Sequence, residues 1–148
     1  MNISDNGKKI IKFFEGLILH PYLDSAKVPT IGYGNTYYLD GTKVTMKDKA
    51  ITKLQADQLF DKTIATFVNN INRVVTSKIN QNQFDSLVSL SYNIGTSGFN
   101  KSTVLKRVNT NPSDSTIKDA FLMWSRAGTN SKALLSRRIQ EAKLYFSS

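Results

Sequence analysis

Apolar residues recur at helical spacing over most of the chain, and this pattern predicts a series of amphipathic helices. The first helix is predicted to begin at Ser4 or Asp5, either of which can cap it, and to end near Gly16. Its inward positions are Ile10, Ile11, Phe13, Phe14 and Leu17. The next helix opens with Thr52 and Gln55 at the spacing of a capping box. Its apolar positions are Leu54, Leu59, Phe60, Ile64, Phe67, Val68 and Ile71.

The second half of the chain continues this helical pattern. A third helix is predicted to begin near Asn80 and to stop at Gly95, which tolerates the left-handed conformation of a helix end. Two shorter helices, at 103–108 and 117–124, each follow a Ser or Thr cap. The last helix, at 132–146, is predicted to bury Leu134, Leu135, Ile139, Ala142 and Phe146.

Residues 19–44 interrupt the helical pattern. Prolines and glycines separate short β-prone stretches at 29–33 and 35–39, and Asp40-Gly41 has the composition of a hairpin turn. We therefore expect a small sheet of two or three strands.

The order of these elements predicts an α+β fold that is mostly helical. The chain of 148 residues has the length of one domain and contains no repeat or linker that would divide it. We predict a single domain over residues 1–148. Its sheet lobe is about 19–45, and its helical lobe is about 53–148 together with the first helix. The second helix is long enough to link the two lobes.

The composition argues against disulfides, metal sites and membrane spans. Without cysteine there is no disulfide framework and no thiolate metal site, and one histidine, His20, cannot build a zinc site alone. We expect His20 to lie in a loop and the protein to need no metal. Lysines occupy the place where a signal peptide has its apolar core, and no stretch approaches the roughly 20 apolar residues of a membrane span. We expect synthesis in the cytoplasm without a signal peptide and, if the protein acts outside the cell, release by another factor.

The charge balance indicates a polyanionic partner. Twenty Lys and Arg against eleven Asp and Glu give a formal net charge of +9. Nucleic acid, an anionic membrane surface and the bacterial cell wall all fit, because charge steers an encounter without identifying the partner. The alternative is that the charge only keeps the surface soluble.

The candidate chemistry begins at Glu15, one of only two glutamates in the chain. It ends an amphipathic helix among apolar residues, where a solvent-facing acid is not expected. Asp24 follows in a turn-rich segment, and Thr30 directly precedes a strand-like stretch. An acid on a helix end can converge with an acid and a hydroxyl on a turning strand in one cleft.

Such a trio suits cleavage of a glycosidic bond. That reaction needs a protonated carboxyl beside the leaving oxygen and an ionised carboxyl across the sugar ring. Apolar surroundings would keep Glu15 protonated, whereas turn amides would keep Asp24 ionised and Thr30 could hold the attacking water. The alternative is structural: Glu15 pairs with a lysine, Asp24 forms a turn and Thr30 is a strand residue.

The same residues belong to a longer pattern that resembles the phage-type lysozymes, the endolysins of glycoside hydrolase family 24. The first part of this pattern comprises Glu15-Gly16-Leu17, Tyr22, Asp24, Thr30-Ile31-Gly32-Tyr33-Gly34 and Thr36. Later parts comprise Asn82–Ser89, Tyr92–Gly95, Phe99, Ser102–Leu105, Trp124, Arg137-Arg138 and Glu141. The pattern runs in order along practically the full chain, which makes it specific.

The resemblance implies a lysozyme that hydrolyses the β-1,4 bond between N-acetylmuramic acid and N-acetylglucosamine in peptidoglycan, without a cofactor. It implies a cleft between the two lobes, with Glu15 as general acid, Asp24 as second carboxylate and Thr30 as water-positioning hydroxyl. By the same comparison, Arg137 approaches Glu15 from the last helix. The residues implied to line or shape the cleft are Gly32, Tyr33, Asn93 and Ser102.

The implied partners are the glycan strands of peptidoglycan and the anionic wall surface rather than nucleic acid, and we expect a monomer. We predict an inverting mechanism, which calls for carboxyl groups roughly 6.5–9.5 Å apart. Two positions depart from the family: Asn35 replaces a usual His and Ala133 a usual Gly. Neither belongs to the catalytic trio.

Other functions and roles remain open at this point. A basic nucleic-acid-binding domain, a non-catalytic peptidoglycan binder and a lytic transglycosylase are the competing hypotheses, although the presence of both Asp24 and Thr30 argues against the last. Trp124 is predicted to be a core residue. Tyr37 and Tyr38 either contact glycan or cover a hairpin.

Overall fold

The computed structural model describes residues 1–126 and 131–148, most of which are helical. The helices are α1 Asp5–Glu15, α2 Lys53–Val74, α3 Gln81–Ile94, α4 Thr96–Asn100, α5 Thr103–Thr110, α6 Ile117–Leu122 and α7 Ser131–Tyr145. A short 3₁₀ helix, Met123–Ser125, follows α6. Strands β1 Ile18–Leu23 and β2 Pro29–Gly32 form a two-stranded antiparallel sheet. The predicted α+β, mostly helical fold with a small N-terminal sheet is confirmed.

The described residues form two compact units. We call residues 11–66 the sheet unit, and residues 1–10 with 67–148 the helical unit. The boundaries fall inside α1 and α2, so each of these helices contributes residues to both units. The prediction of a single domain over residues 1–148 is left open by this division.

The sheet unit is built on one irregular hairpin. Across it, Tyr22 faces Thr30, and the register shifts between Ile18 and Tyr22. Pro21 lies in this interval and has no N–H to give to the ladder. His20 also lies in β1 and is exposed, so the predicted loop position was wrong. The core below the sheet consists of Ile31, Val44 and Leu59, with Tyr38 and Ile51 packed against it.

The predicted strand at 35–39 was also wrong. After β2 the chain turns back at once, because Ile31 and Asn35 exchange both backbone hydrogen bonds, at 2.8 and 2.9 Å. Only isolated bridges follow, one of which joins Tyr37 to Lys43. The turn predicted at Asp40-Gly41 is present, and Gly41 has φ +85° there. Tight turns therefore replace a third strand.

The predicted capping box of α2 and the predicted start of α3 are confirmed. Thr52 and Gln55 cap each other's backbone N–H groups, and Asn80 and Gln83 do the same at the start of α3. Gly95 ends α3 with φ +87°. The predicted cap of α6 was wrong: the Thr116 hydroxyl donates to Asp114 instead.

The start of α1 is fixed by a buried carboxylate of α3. Ser4 caps α1 by accepting the Gly7 N–H at 3.0 Å, and its own backbone N–H and hydroxyl both donate to Asp85. A Cβ at position 7 would lie 2.7 Å from the Asp85 carboxyl carbon, so only glycine allows this approach. These contacts fix the first turn of α1.

Burial differs from the pattern most strongly in α7. Leu135, Ile139 and Phe146 were predicted to be inside but are exposed. The residues of α7 that are buried are Arg137, Arg138, Glu141, Ala142 and Tyr145. Charged residues can occupy an interior position when they pair with one another, and hydrophobicity alone does not identify them.

Three further apolar positions were assigned to the interior wrongly. Phe13 is 78% exposed, and Leu17 and Leu54 are exposed as well. Trp124 is half-buried, with its ring beside Gly98. Within residues 1–126 and 131–148, no helix combines the length and apolar character needed to cross a membrane.

Candidate active site

Glu15 is the last residue of α1 and is half-buried in the sheet unit. The backbone of Gly34 lies against its carboxyl group, since a Cβ built on Gly34 would lie 2.8 Å from Glu15 Oε1. Because Phe13 and Leu17 are exposed, the surroundings of Glu15 are less apolar than the sequence pattern indicated. The position of this carboxyl depends on the turn that carries Gly34.

Asp24 lies in the loop between β1 and β2. Its Oδ1 accepts the N–H groups of Ala26 and Val28 at 2.8 and 2.9 Å, as expected for a carboxylate held by turn amides. Within the part of the chain that the structure describes, Oδ2 has no hydrogen-bond partner. Asp24 therefore has one oxygen that holds the loop and one that can accept a proton.

Thr30 begins the buried part of β2 and is 2% exposed. Its hydroxyl donates to the Val28 carbonyl at 2.7 Å. This bond uses the hydroxyl hydrogen and leaves oxygen lone pairs, so Thr30 can accept a hydrogen from a water molecule.

Tyr22 lies near all three of these residues, and the sequence pattern gave it no separate role. It faces Thr30 across the hairpin. Burial raises the pKa of Tyr22, and the nearby charges of Glu15 and Asp24 raise it further. Both carboxyl groups therefore lie within electrostatic reach of one neutral phenol. Its position two residues before Asp24 was the available signal.

The turn from Gly32 to Asn35 supports the Glu15 carboxyl. Gly32 and Gly34 have φ of +70° and +79°, which favours glycine at both positions. The buried Asn35 side chain accepts the Tyr33 N–H at 3.2 Å and donates to the Thr63 hydroxyl at 2.8 Å. The residue that replaces the family's histidine thus fastens this turn to α2 with uncharged hydrogen bonds.

Tyr33 is buried, 5% exposed, and forms part of a polar cluster. Its hydroxyl donates to Asp57 at 3.2 Å, and the Lys12 ammonium lies 5.2 Å from the centre of its ring. Burial and the Asp57 carboxylate raise the pKa of Tyr33. The hydrogen bond from Lys53, together with Lys12, holds the pKa of Asp57 below its ordinary value. This cluster fixes the side chain next to Gly34.

Asn35→Ala is expected to destabilise the protein by about 2–3 kcal/mol, because it removes the buried side chain that accepts the Tyr33 N–H and donates to Thr63. Thr63→Val removes only the second bond and is expected to cost about 1 kcal/mol. Urea unfolding of both variants measures the difference. Equal losses in the two variants would contradict a special role for the bond to Tyr33.

The remaining predicted site residues belong to the helical unit. The Ser102 hydroxyl caps α5 by accepting the Leu105 N–H at 3.1 Å and donates to the Phe99 carbonyl. Asn93 is exposed and accepts a hydrogen bond from Arg138. The buried Arg137 donates to Glu141 at 3.1 Å and to the Ser89 carbonyl at 3.1 Å. Its approach to Glu15 stays a prediction.

Glu141 is the centre of a buried charge cluster in the helical unit. Its carboxylate accepts hydrogen bonds from Arg137, Arg138 and the Ser89 hydroxyl. Arg138 also donates to the Trp124 carbonyl at 3.3 Å. The sequence showed these residues only as part of a resemblance, although their spacing of three and four positions places them on one helix face.

Acidic and imidazole groups are dispersed in the part of the chain that is described. No group of three or more His, Cys, Asp or Glu side chains there is arranged to hold a metal ion.

The chain is similar in sequence to known phage lysozymes. The phage lysozyme family model matches residues 12–141. The endolysin of Salmonella phage P22 is 40% identical over 147 residues, which cover 99% of this chain and 99% of that protein. The endolysin of Bacillus phage PZA is 35% identical over 148 residues, and the match covers 98% of this chain but 55% of that longer protein.

A solved structure gives the same result in three dimensions. The endolysin from Escherichia coli O157:H7 phage FAHEc1 superposes with a TM-score of 0.90 at 38% identity, covering 99% of this chain and 94% of that one. The family match runs from residue 12 to residue 141 and therefore includes Glu15, Asp24 and Thr30. The chain therefore belongs to the phage lysozyme family, whose members are glycoside hydrolases, and it is an enzyme of that class.

Proposed function

We propose that this protein is an endolysin that hydrolyses the β-1,4 bond between N-acetylmuramic acid and N-acetylglucosamine in bacterial peptidoglycan. The reaction inverts the configuration at the sugar carbon that is attacked. Glu15 is the general acid, and Asp24 with Thr30 holds and activates the water.

Glu15 supplies the proton that the leaving sugar needs. Its carboxyl group gives a proton to the glycosidic oxygen while the bond from that oxygen to the sugar carbon breaks. Its placement supports this role, because the close contact with Gly34 restricts the positions that the carboxyl can take. A fixed donor reduces the entropy that is lost on reaching the transition state.

Asp24 and Thr30 act on the water. The Thr30 oxygen accepts one hydrogen of the water and orients it, since its own hydrogen is bound to Val28. Asp24 takes the other proton on Oδ2 as the water oxygen attacks the sugar carbon. The product then carries a new hydroxyl on the face opposite the broken bond.

The observation that carries this proposal is the convergence of the trio around Tyr22. Thr30 lies opposite Tyr22 in the sheet, and the charges of Glu15 and Asp24 both act on its phenol. These observations support a site in the sheet unit to which a helix end, a loop and a strand contribute an acid, a second acid and a hydroxyl. A purely structural role for each residue gives no reason for this convergence.

The net positive charge also fits the bacterial cell wall as a partner. A formal +9 favours approach to anionic wall polymers, and the attraction should weaken as salt rises. We infer that the protein reaches the wall after release by another factor and acts there as a monomer.

The test is mass spectrometry of the soluble fragments released from purified peptidoglycan. The proposal expects fragments that end in reducing N-acetylmuramic acid, formed by the wild type and not by Glu15→Gln. Anhydro ends would instead identify a lytic transglycosylase, and reducing N-acetylglucosamine ends would assign the cut to the other glycosidic bond. No release of fragments together with salt-sensitive retention on DNA would support a nucleic-acid-binding protein.

A further inference from the structure

The adjacent residues Tyr37 and Tyr38 have different environments in the sheet unit. Tyr38 packs against the core, and its hydroxyl donates to Asp48 at 2.7 Å. Burial and this hydrogen bond raise the pKa of Tyr38 to about 12. Tyr37 is 51% exposed, and its hydroxyl has no partner among the described residues. Tyr38 therefore covers the hairpin, and Tyr37 is available to a ligand.

Tyr37 lines an open hollow of about 310 Å³. Other residues around it include Val28, Pro29, Thr36, Lys43 and Val44. Lys43 is exposed and forms no ion pair within the described ranges. An aromatic ring, aliphatic side chains and an unpaired ammonium group thus surround one small volume. Small-molecule sites start at roughly 300 Å³, so this hollow has room for about one sugar ring.

The hollow adjoins the loop of the proposed catalytic residues through Val28. The Val28 N–H donates to Asp24 at 2.9 Å, and its carbonyl accepts the Thr30 hydroxyl at 2.7 Å. The side chain of the same residue lines the hollow. A ligand seated there would contact the segment that holds the second carboxylate and the water-positioning hydroxyl.

We propose that this hollow is a subsite for an N-acetylmuramic acid unit of the glycan strand, with Tyr37 against the sugar ring and Lys43 paired with a carboxylate of the attached peptide stem. The inference rests on the proposed function. An exposed aromatic ring offers an apolar face to the C–H groups of a sugar, and its hydroxyl can bond to the ring substituents. The ammonium group matches the acidic stem, which glycan without peptides lacks.

The test compares Tyr37→Ala and Lys43→Gln with matched controls outside the hollow. Phe146→Ala removes another exposed aromatic ring, and Lys47→Gln removes another exposed lysine. Binding to purified cell walls is measured by sedimentation in the Glu15→Gln background, so that the walls stay intact. A second substrate is the same wall with its carboxylates converted to neutral amides by a carbodiimide and ammonia.

Tyr37→Ala is expected to weaken binding about fivefold to tenfold on both substrates. Lys43→Gln is expected to weaken it about twofold to fivefold on untreated walls, and its effect should disappear on amidated walls, which have no carboxylate for the ammonium group. The two controls should change binding by less than twofold, about the size of an isolated surface charge or ring. Binding by Tyr37→Ala that equals its Phe146→Ala control would overturn the subsite.

Failure of the subsite and failure of the proposed function are distinguishable. If Glu15→Gln abolishes lysis while Tyr37→Ala binds and digests walls as the wild type does, only the subsite is wrong. If Glu15→Gln lyses walls normally, the proposed catalytic role is wrong, whatever Tyr37→Ala does. Urea unfolding checks that each variant folds, which the exposure of both side chains leads us to expect.

Discussion

Glu15→Gln lowers the rate of cell-wall clearing by about 10²- to 10⁴-fold, the range that loss of a general acid produces. Glutamine keeps the size of the side chain and its contact with Gly34, but it has no acidic proton for the glycosidic oxygen. Binding to the wall should persist, because the substitution removes no sugar-contacting group. The loss therefore appears in the catalytic rate.

Turbidity of purified walls measures this effect, and sedimentation of the variant with walls measures retained binding. Gln140→Ala, an exposed change on α7, serves as the control for handling and folding. Clearing by Glu15→Gln within about tenfold of the wild type would remove Glu15 from the role of general acid.

A pair of glycine variants tests the same carboxyl group without changing it. Gly34→Ala and Gly41→Ala both place a side chain at positive φ, +79° and +85°, so both are expected to cost about 1–2 kcal/mol of stability. Only at Gly34 does the added methyl group meet the Glu15 carboxyl; at Gly41 it meets nothing within 4 Å. We expect Gly34→Ala alone to slow clearing, by about 10²-fold. Equal activity in the two variants would contradict this account of the turn.

The largest expected loss of stability comes from Glu141→Gln, at about 3–5 kcal/mol. The Glu141 side chain is buried and accepts hydrogen bonds from two arginines that are themselves buried. A neutral amide removes the negative charge that both buried guanidinium groups contact. That loss is a large fraction of the roughly 5–15 kcal/mol that stabilises a typical domain.

Urea unfolding of Glu141→Gln against Gln140→Ala measures the loss at adjacent positions of one helix. The exposed Gln140 should change stability by less than about 0.5 kcal/mol. In a double-mutant cycle, Arg138→Met with Glu141→Leu should cost less than the two single changes added together, because each single change breaks the Arg138–Glu141 ion pair and the double change breaks it only once. Additive losses would show that the buried cluster is not energetically coupled.

Local signals in the sequence predicted the helices and their ends well. The capping box at Thr52, the helix start at Asn80 and the glycine that ends α3 depend on bonds between neighbours in the chain. Such bonds are decided within a few residues, so spacing alone identifies them. The strand predicted at 35–39 failed because the turn after β2 pairs Ile31 with Asn35 directly.

Burial was less predictable from the same patterns. Hydrophobicity predicted that Leu135 and Ile139 lie on the buried face of α7. That face instead carries Arg137, Arg138 and Glu141. What makes charged residues tolerable inside is a partner elsewhere in the fold, here the Ser89 carbonyl and hydroxyl on α3. No pattern within a single helix contains that information.

The candidate trio was accessible from residue types and spacing, whereas its supporting contacts were not. Glu15 stood out as an acid on an apolar helix end, and Asp24 as an acid among turn residues. The contact of Gly34 with Glu15 and the place of Tyr22 near both carboxyl groups depend on how the hairpin meets the end of α1. Those contacts exist only after folding.

The most direct test of the mechanism is NMR of the first product formed from a defined peptidoglycan oligosaccharide. Attack by a water held between Asp24 and Thr30 predicts that the new reducing end first appears with the α configuration, inverted from the β bond, before mutarotation mixes the two forms. A first product with the β configuration would show a covalent intermediate and would contradict the water-activating role of Asp24.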